Sequence, residues 1–364
     1  MKVKSIGFKN FRNLEEAMIP TDFKVVVMEG RNGSGKTSFL ECIYSSLLLS
    51  TFRSSKLSDA ICYDAPCCQM RCSVNKSGQS FDVLSYCDRK KKSIIVNDEK
   101  VSGYGRLFSL FSVAVLSYDD KKIVSSGPEE RRKYMNQVAC FADASFSDVL
   151  RRYSSVLKER NKAIKERKLD VLDAIDDKIA ELGCGVADER RKLVPQVEEY
   201  VNSAYENVFS QRGLFRMELS SNCSDALDKE SYVSHLKASR NRDMILECTM
   251  IGPHRDDFIF YYDNRLVKDD FSTGQIRLLS IILKLAFVEI IRDRMGFSPV
   301  VLVDDVLLEL DEGKKLLVFN HLLKYRQVFY TFLPQESFYK GCCDDMRIYK
   351  MTGGAIGGRD GARG

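Results

Sequence analysis

The chain has 364 residues, of which 44% are hydrophobic and 29% are charged, so both a sizeable core and a solvated surface are available. These proportions exclude a disordered chain and a fibrous one. The 56 Lys and Arg residues outnumber the 51 Asp and Glu residues, and the formal net charge is +5. This mild basic excess permits an anionic partner such as nucleic acid but does not require one.

The cysteines and the apolar segments indicate the compartment. Twelve cysteines in a chain of this length do not follow the short, regular spacing of a secreted disulfide scaffold. The N-terminus lacks the apolar core of a signal peptide, and the most apolar segment, residues 278–291, is too short to span a bilayer. We therefore predict a cytoplasmic protein with reduced thiols and no membrane association. Structural zinc is not favoured, because no CxxC pair occurs among Cys62, Cys67, Cys68 and Cys72.

Short strands and one helix are predicted in the first part of the chain. Strands are expected at residues 3–8 and 24–28. The helix that follows has apolar residues at helical spacing, which are Phe39, Leu40, Ile43 and Leu47. Residues 70–101 contain short strands separated by turn signals at 76–78 and 97–98, which predicts an antiparallel patch.

A charge-dense helical segment occupies residues 129–211 and carries an apolar stripe. Gly183-Cys184-Gly185 predicts a break between two long antiparallel helices. The later strands are predicted at residues 214–219, 244–251, 300–303 and 327–332. Because residues 351–364 are rich in glycine, we expect them to form a flexible tail.

A phosphate-binding loop is predicted at residues 30–37, which fit GxxxxGK followed by Ser or Thr without a mismatch. The glycines let successive N–H groups turn toward phosphate oxygens. Lys36 places a charge on the β- and γ-phosphates, and the Thr37 hydroxyl can bind Mg²⁺. The loop follows an apolar strand and opens an amphipathic helix, as phosphate binding requires. The predicted nucleotide-binding residues are Gly30, Arg31, Asn32, Gly33, Ser34, Gly35, Lys36, Thr37 and Ser38.

A second half of the site is predicted where the apolar strand at 300–303 runs into Asp304 and Asp305. Such a strand is typical of a parallel sheet buried on both faces, and ligands bind at its carboxyl end. Asp304 would bind Mg²⁺ together with Thr37, and Asp305 would orient or deprotonate the attacking water. Lys36, Asp304 and Asp305 are thus the predicted catalytic residues.

The long separation between the loop and these aspartates indicates an insertion. We predict a split ATPase head formed by residues 1–125 and 213–350, with residues 126–212 as an inserted helical lobe. Between the two halves of the site in the sequence, residues 272–275 precede a helix rich in Leu and Ile. Their hydroxyls and glycine fit either an anion site or a plain helix N-cap.

Several basic clusters could contact nucleic-acid phosphates. Each is equally explained as a solvated turn or a helix face balanced by nearby Glu. The clusters are residues 89–92, 131–133, 151–152 and 190–192.

The order of the phosphate loop, residues 272–275 and residues 301–305 resembles the ATP-binding-cassette class of ATPases. Further blocks resemble one family in that class, the RecF family of bacterial recombination mediators, over nearly the whole chain except the tail. These blocks are residues 10–13, residues 52–53, residues 126–128 with 131–132, Tyr153 with residues 160–161, GPHRDD at residues 252–257, and residues 309–311.

The resemblance implies an α/β fold: a P-loop ATPase head of the ATP-binding-cassette type, with a mixed sheet, flanking helices and an antiparallel β patch, plus an inserted mainly helical lobe. It implies ATP and Mg²⁺ as cofactors and adds Arg12 to the nucleotide-binding residues. Four residues would act in trans on the nucleotide of a second copy; they are Ser272, Thr273, Gly274 and Gln275. Residues 327–332 contain no histidine to serve as a γ-phosphate switch, and Thr331 is the nearest polar candidate.

The implied function is a weak DNA-dependent ATPase that acts as a switch. ATP would drive an ATP-dependent homodimer onto double-stranded DNA near gap junctions with single-stranded DNA, and hydrolysis would release it. Such a protein assists RecA loading with RecR and RecO in recombinational DNA repair, replication-gap processing and the SOS response.

Three alternatives remain open at this point. A P-loop phosphotransferase would use the same loop but needs no block like residues 272–275. A transporter ATPase subunit predicts a glycine-richer signature and leaves GPHRDD unexplained. An SMC-type tether needs many more heptads than the helical segment contains.

Overall fold

The computed structural model describes residues 1–210, 213–222, 228–308 and 310–358. In chain order, the strands are β1 (Lys2–Lys9), β2 (Ala17–Pro20), β3 (Val25–Gly30), β4 (Cys67–Lys76), β5 (Gln79–Asp88), β6 (Lys92–Val96), β7 (Glu99–Val101), β8 (Val113–Ser117), β9 (Phe215–Ser220), β10 (Asp257–Tyr262), β11 (Arg265–Leu266), β12 (Val300–Asp304), β13 (Gln327–Phe332), β14 (Met346–Thr352) and β15 (Ala355–Gly358). The helices are α1 (Lys36–Leu48), α2 (Tyr104–Leu110), α3 (Lys122–Ser125), α4 (Pro128–Ala142), α5 (Phe146–Lys165), α6 (Leu172–Phe209), α7 (Lys229–Leu246), α8 (Val267–Asp270), α9 (Thr273–Met295) and α10 (Glu312–Leu322).

The chain divides into two compact units. The first comprises the described residues of Met1–Asp120, Asn207–Ser210 and Phe287–Gly364, and the second comprises those of Lys121–Glu206 and Gln211–Ala286. Among the described residues, no helix is both long and apolar enough to cross a membrane.

The first unit contains a mixed six-stranded sheet in the order β15-β14-β3-β13-β12-β8. All of its strands except β15 run parallel to their neighbours. Strands β3, β12 and β13 are buried at every position, as expected for parallel strands covered on both faces. The carboxyl ends of these strands therefore meet at one edge of the sheet, where the phosphate loop and the two aspartates begin.

The first unit also contains the predicted antiparallel patch, a second six-stranded sheet in the order β2-β1-β4-β5-β6-β7. Helix α1 packs against β4 and β5, and Phe39 on its buried side meets the edge of Phe8 with ring centroids 6.2 Å apart. The predicted fold class, an α/β ATPase head with a mixed sheet and an antiparallel patch, is confirmed by these two sheets.

The second unit consists of α3, α4, α5, α7 and α8, most of α6, the first part of α9 and a small sheet in the order β11-β10-β9. Its interior holds a fully buried cation. The Arg160 guanidinium donates to Asp176 at 2.7 Å and to Asp243 at 2.6 Å, and all three side chains are inaccessible to solvent. Because a buried charge is tolerated only when it is paired, removing any one of the three would destabilise this unit strongly.

Two local predictions were wrong. Helix α6 runs without a break through Gly183-Cys184-Gly185, and the helical chain instead turns at residues 166–171. A β-carbon at Gly183 would lie 2.4 Å from the ring of Tyr232, so this glycine makes room for an aromatic side chain rather than ending a helix. The strand predicted at residues 244–251 is the last turn of α7 followed by a loop.

The division of the chain also differs from the predicted one. Residues 213–286, predicted to join the head, group with the helical unit, because β9 pairs with β10 and Asp257 on β10 forms an ion pair with Arg131 on α4. The predicted tail from residue 351 is instead the end of a β14–β15 hairpin up to Gly358. Its remainder, residues 359–364, lies outside the described residues, as does Glu309.

Candidate nucleotide-binding site

The phosphate loop connects the end of β3 to the start of α1. Gly33 has φ 77° and Gly35 has φ 105°, both in the left-handed region that favours glycine. Lys36 is 4% exposed, and its ammonium donates to the backbone carbonyls of Gly30 at 2.8 Å and Arg31 at 3.3 Å. The loop thus curls around a cation, and its own carbonyls hold that cation in place where a phosphate would approach.

The two predicted halves of the site meet directly. The Thr37 hydroxyl donates to a carboxylate oxygen of Asp304 at 2.9 Å, although the two residues lie 267 positions apart in the chain. Thr331 on β13 completes the contact. Its hydroxyl accepts from the Asp305 N–H at 2.9 Å and lies 3.0 Å from an Asp305 carboxylate oxygen and 3.2 Å from one of Asp304. Three adjacent parallel strands therefore bring Thr37, Asp304 and Thr331 together.

The electrostatics of Asp304 suit a cation. Burial in the first place, and the neighbouring charge of Asp305 in the second, raise the pKa of Asp304 to about 6. The hydrogen bonds from Thr37 and Thr331 and the positive charge of Arg53 offset these two effects only in part, so the ionised carboxylate would be stabilised by a further cation. Hydroxyl and carboxylate oxygens are the ligands that Mg²⁺ prefers, so Thr37 and Asp304 fit that ion. No group of three or more His, Cys, Asp or Glu side chains in the described ranges is arranged to bind a metal, so the remaining ligands would be phosphate and water.

Arg12 and Ser38 are both predicted nucleotide-binding residues, and their side chains have different hydrogen-bond partners near the loop. The Arg12 guanidinium forms two hydrogen bonds with the buried Glu41 of α1, at 2.9 and 2.8 Å. Ser38 donates to the side-chain oxygen of Asn13 at 2.9 Å, and the Asn13 amide reaches the Gly33 carbonyl at 3.4 Å. A contact between Arg12 and nucleotide stays a prediction, while Asn13 is a support for the loop that was not assigned from the sequence.

The front of the loop forms one wall of a groove of about 540 Å³. Arg31 and Asn32 are exposed there. Pro334 and residues 350–353 of the β14–β15 hairpin also line this groove. Their place there was missed because the glycines were interpreted as a tail, although two β-rich runs around Gly353-Gly354 are a hairpin signal.

The segment Ser272–Gln275 lies in the second unit, where it starts α9 and is exposed. The Ser272 N–H donates to the Gln275 side chain at 2.9 Å, and the Gln275 N–H donates to the Ser272 hydroxyl at 3.4 Å. This reciprocal pair of hydrogen bonds is a capping box, so the structure contains the helix N-cap that was predicted as one of the two alternatives. The cap also leaves Thr273 and Gly274 at an exposed helix N-terminus.

GPHRDD at residues 252–257 makes structural contacts inside the second unit. The His254 Nε2–H donates to the Thr249 carbonyl at 2.9 Å, which leaves Nδ1 to accept from the Tyr153 hydroxyl at 2.7 Å. Burial lowers the pKa of His254 to about 4, so the ring is neutral at physiological pH. Asp256 pairs with the buried Arg190 at 2.8 Å. The motif joins the helices to the small sheet.

The basic clusters fall into two kinds. Two of their arginines are buried and paired with the aspartates of GPHRDD: Arg131 with Asp257, and Arg190 with Asp256. By contrast, Arg89, Lys90 and Lys91 are exposed in the turn between β5 and β6, and the Asp88 carboxylate accepts from the N–H groups of Lys90 and Lys91 at 2.7 Å each.

The exposed turn borders two grooves, of about 290 and 550 Å³. The first is also lined by Lys56 and Tyr104, and the second by Tyr63, whose side chain is 92% exposed. Cations next to accessible aromatic rings are typical of surfaces that contact nucleic-acid backbones and unstacked bases.

Comparison with known proteins gives consistent matches. The sequence model of the RecF/RecN/SMC N-terminal domain family matches residues 2–355. A DNA replication and repair protein RecF from Treponema pallidum (strain Nichols) is 31% identical over 95% of this chain and 98% of its own length.

Solved structures give the same picture. A structure described as the recombination mediator protein RecF with ATP in the RecFOR pathway superimposes with a TM-score of 0.90 at 25% identity, covering 99% of this chain and 98% of that one. An Smc head domain from Pyrococcus furiosus, at 14% identity and a TM-score of 0.53, covers 98% of this chain and 95% of its own and shares the fold.

Proposed function

The chain belongs to the RecF family of DNA replication and repair proteins, and from this premise we propose that it is an ATP-dependent DNA-binding protein of recombinational repair and replication-gap processing. The observation that carries the proposal is the contact of Thr37 with Asp304, which joins a phosphate loop to a buried carboxylate at one sheet edge. Family membership sets aside the phosphotransferase and the transporter ATPase subunit.

The proposed nucleotide is ATP with Mg²⁺. Lys36 and the N–H groups of residues 30–35 bind the β- and γ-phosphates, and Thr37 and Asp304 hold the metal ion. When bound, Mg²⁺ supplies positive charge to the transferring phosphoryl group. Asp305 orients the attacking water or accepts its proton, and Thr331 fixes this carboxylate through the hydrogen bonds described above. Because the remaining machinery is sparse, we expect weak, DNA-stimulated hydrolysis that acts as a switch.

The proposed partner of the nucleotide is a second copy of the chain. Ser272–Gln275 is exposed at a helix N-terminus, and the capping box uses only the N–H groups of Ser272 and Gln275. The Ser272 and Thr273 hydroxyls and the N–H groups of Thr273 and Gly274 would bind the γ-phosphate held by the other copy. ATP then drives head-to-head dimerisation on double-stranded DNA next to single-strand gaps, and hydrolysis releases the dimer. In this role the protein assists RecA loading with RecR and RecO.

The exposed β5–β6 turn, with the grooves beside it, is the proposed contact to DNA. Arg89, Lys90 and Lys91 would neutralise backbone phosphates, and Tyr63 would stack on an unpaired base where a gap begins. Such contacts are independent of sequence and sensitive to salt.

Sedimentation of the protein with ATP, with ADP and without nucleotide tests the switch. We expect dimers with ATP alone and none with ATP in Lys36→Met, because that variant lacks the buried cation at the phosphates. The matched variant is Ser272→Arg, which should bind ATP as a monomer yet fail to associate. ATP-dependent dimers of Ser272→Arg would show that the trans role of this segment is wrong.

A further inference from the structure

The β14–β15 hairpin is bonded to the phosphate loop itself. Strand β14 lies parallel to β3, with Met351 opposite Gly30. Beyond the strand, the N–H of Gly354 donates to the carbonyl of Ser34 at 3.0 Å. That carbonyl belongs to the loop, so this hydrogen bond fixes the loop backbone at Ser34.

A glycine is required at this contact. Gly354 has φ +100°, and a β-carbon there would lie 1.9 Å from the backbone oxygen of Asn13. Its carbonyl accepts from the Glu15 N–H at 3.2 Å, and Asn13 in turn contacts Ser38 and the Gly33 carbonyl. The hairpin turn and residues 13–15 thus support the loop together. Gly353, the preceding residue, also has a positive φ, of +61°, but a β-carbon there would meet nothing within 4 Å.

The hairpin also presents a cation. Lys350 is exposed and lines the same groove as Arg31 of the loop. Within the described ranges no hydrogen bond or ion pair engages the Lys350 side chain. Two exposed cations, Arg31 and Lys350, therefore line the groove next to the phosphate loop.

We propose that the β14–β15 hairpin is a working part of the nucleotide site: Gly354 holds the phosphate loop in its anion-binding shape, and Lys350 supplies a cation to the polyphosphate of the bound nucleotide. The inference rests on the proposed function, since it presupposes that ATP binds at this loop. Gly354 is a positioning residue, and Lys350 a binding residue.

Calorimetric titration of the full chain with ATP and Mg²⁺ tests this with a matched pair. Gly354→Ala should weaken ATP binding by about tenfold or more, because a loop hydrogen bond and the loop geometry are disrupted together. Gly78→Ala, in the turn between β4 and β5, where φ is +87° and a β-carbon would meet nothing within 4 Å, should stay within about twofold of the wild type, because it adds positive-φ strain away from the nucleotide site. Lys350→Met should weaken ATP binding about three- to tenfold and reduce its dependence on salt. DNA affinity without nucleotide should not change in any variant.

Hydrogen exchange tests the inference without any substitution in the hairpin. ATP should slow the exchange of residues 350–354 in the wild type and leave it unchanged in Lys36→Met. If Gly354→Ala fails to fold, Lys350→Met and this exchange measurement decide. Wild-type affinity in both Gly354→Ala and Lys350→Met, or no exchange protection of the hairpin, would overturn the inference while ATP binding itself stands. Absence of ATP binding by the wild type would instead refute the proposed function.

Discussion

Asp304 carries a conflict between stability and function at the scale of one residue. Asp304 is 7% exposed and adjacent to a second aspartate; its carboxylate accepts hydrogen bonds from the hydroxyls of Thr37 and Thr331, and the positive charge of Arg53 offsets its burial only in part. The pKa of Asp304 in the folded protein, about 6, lies above the ordinary value of 3.8. The native state therefore binds more protons than the unfolded state between these two values, so the contribution of this group to stability falls as pH rises through that window.

Asp304→Asn should stabilise the nucleotide-free protein. At about pH 7.5 the penalty is fully present, and we expect a gain of about 1–3 kcal/mol in the free energy of unfolding, which shrinks toward pH 4 as the wild-type carboxylate becomes protonated. Urea denaturation at the two pH values measures the difference, and ATP hydrolysis should be lost.

Asp311→Asn is the control for Asp304→Asn. Asp311 is an exposed carboxylate that caps α10, and its pKa is lowered by the hydrogen bonds from Lys314. This variant should show no gain in stability. A nucleotide-free Asp304→Asn protein less stable than the wild type near neutral pH would contradict the account.

Helix α6 shows, at the scale of one element, how a side chain elsewhere decides the role of a glycine. Gly183 and Gly185 lie in the same helix two residues apart, yet a β-carbon at Gly183 would collide with Tyr232, whereas one at Gly185 would lie 3.7 Å from Val149, an ordinary contact. From sequence the two were equivalent and were interpreted as one break. The residue that distinguishes them comes from a distant helix.

Gly185→Ala should raise and Gly183→Ala should lower the stability of the protein. In an open helical position, alanine gains about 0.5–1 kcal/mol over glycine. At Gly183 the collision outweighs this gain, and we expect a loss of about 1–3 kcal/mol, as for other overpacked cores. Thermal unfolding of both variants measures the two effects. Equal shifts in the same direction would show that Tyr232 does not limit the helix.

Substitutions in the β5–β6 turn and at the buried basic residues should have different effects: the former should weaken DNA binding, and the latter should lower stability. Lys90→Ala with Lys91→Ala should weaken DNA binding without changing the melting temperature. The slope of log affinity against log salt should fall by about one for each backbone phosphate that the variant no longer neutralises.

Arg131→Ala is the matched control with the opposite signature. It leaves Asp257 without its cation in a partly buried ion pair, so we expect a lower melting temperature and an unchanged salt slope in the protein that remains folded. Fluorescence titration with a gapped duplex at several salt concentrations measures the slopes. An unchanged slope in the double variant would remove the turn from the DNA interface.

At the scale of elements, the sequence predicted those features whose signature lies within a few neighbouring residues. The phosphate loop, the strand ending in Asp304 and the antiparallel patch have local signatures in glycine spacing, apolar runs and turn residues, and the structure contains all three. The β14–β15 hairpin was missed because its glycines indicate flexibility until a neighbouring strand is known. The support by Asn13 and the pairing of Arg131 and Arg190 depend on tertiary contacts, which no local pattern encodes.

At the scale of the whole molecule, the residues proposed to contact the nucleotide are divided between the two units. The phosphate loop and Asp304 lie in the first unit, and Ser272–Gln275 lies in the second. The predicted head boundary at residue 213 could not reveal this, because β9, β10 and β11, the first three strands after it, pair with each other rather than with the large sheet.

Hydrogen exchange of Ser272→Arg against the wild type should make this separation visible. In the variant, ATP should protect the phosphate loop and its surroundings in the first unit and leave residues 272–275 unprotected. In the wild type, protection should extend to residues 272–275 at concentrations where sedimentation shows dimers. Protection of this segment in a strictly monomeric protein would contradict a trans contact.

The order of strands around β3 also has a consequence for biosynthesis. The strand that ends in the phosphate loop is flanked by β13 on one side and β14 on the other, and both neighbours are contributed by residues 327–352. During translation, a nascent chain that already displays the loop therefore leaves both edges of its strand unpaired until the ribosome has added roughly three hundred more residues. A product truncated by a premature stop codon before residue 327 would carry the complete GxxxxGK motif and still be unable to form the pocket.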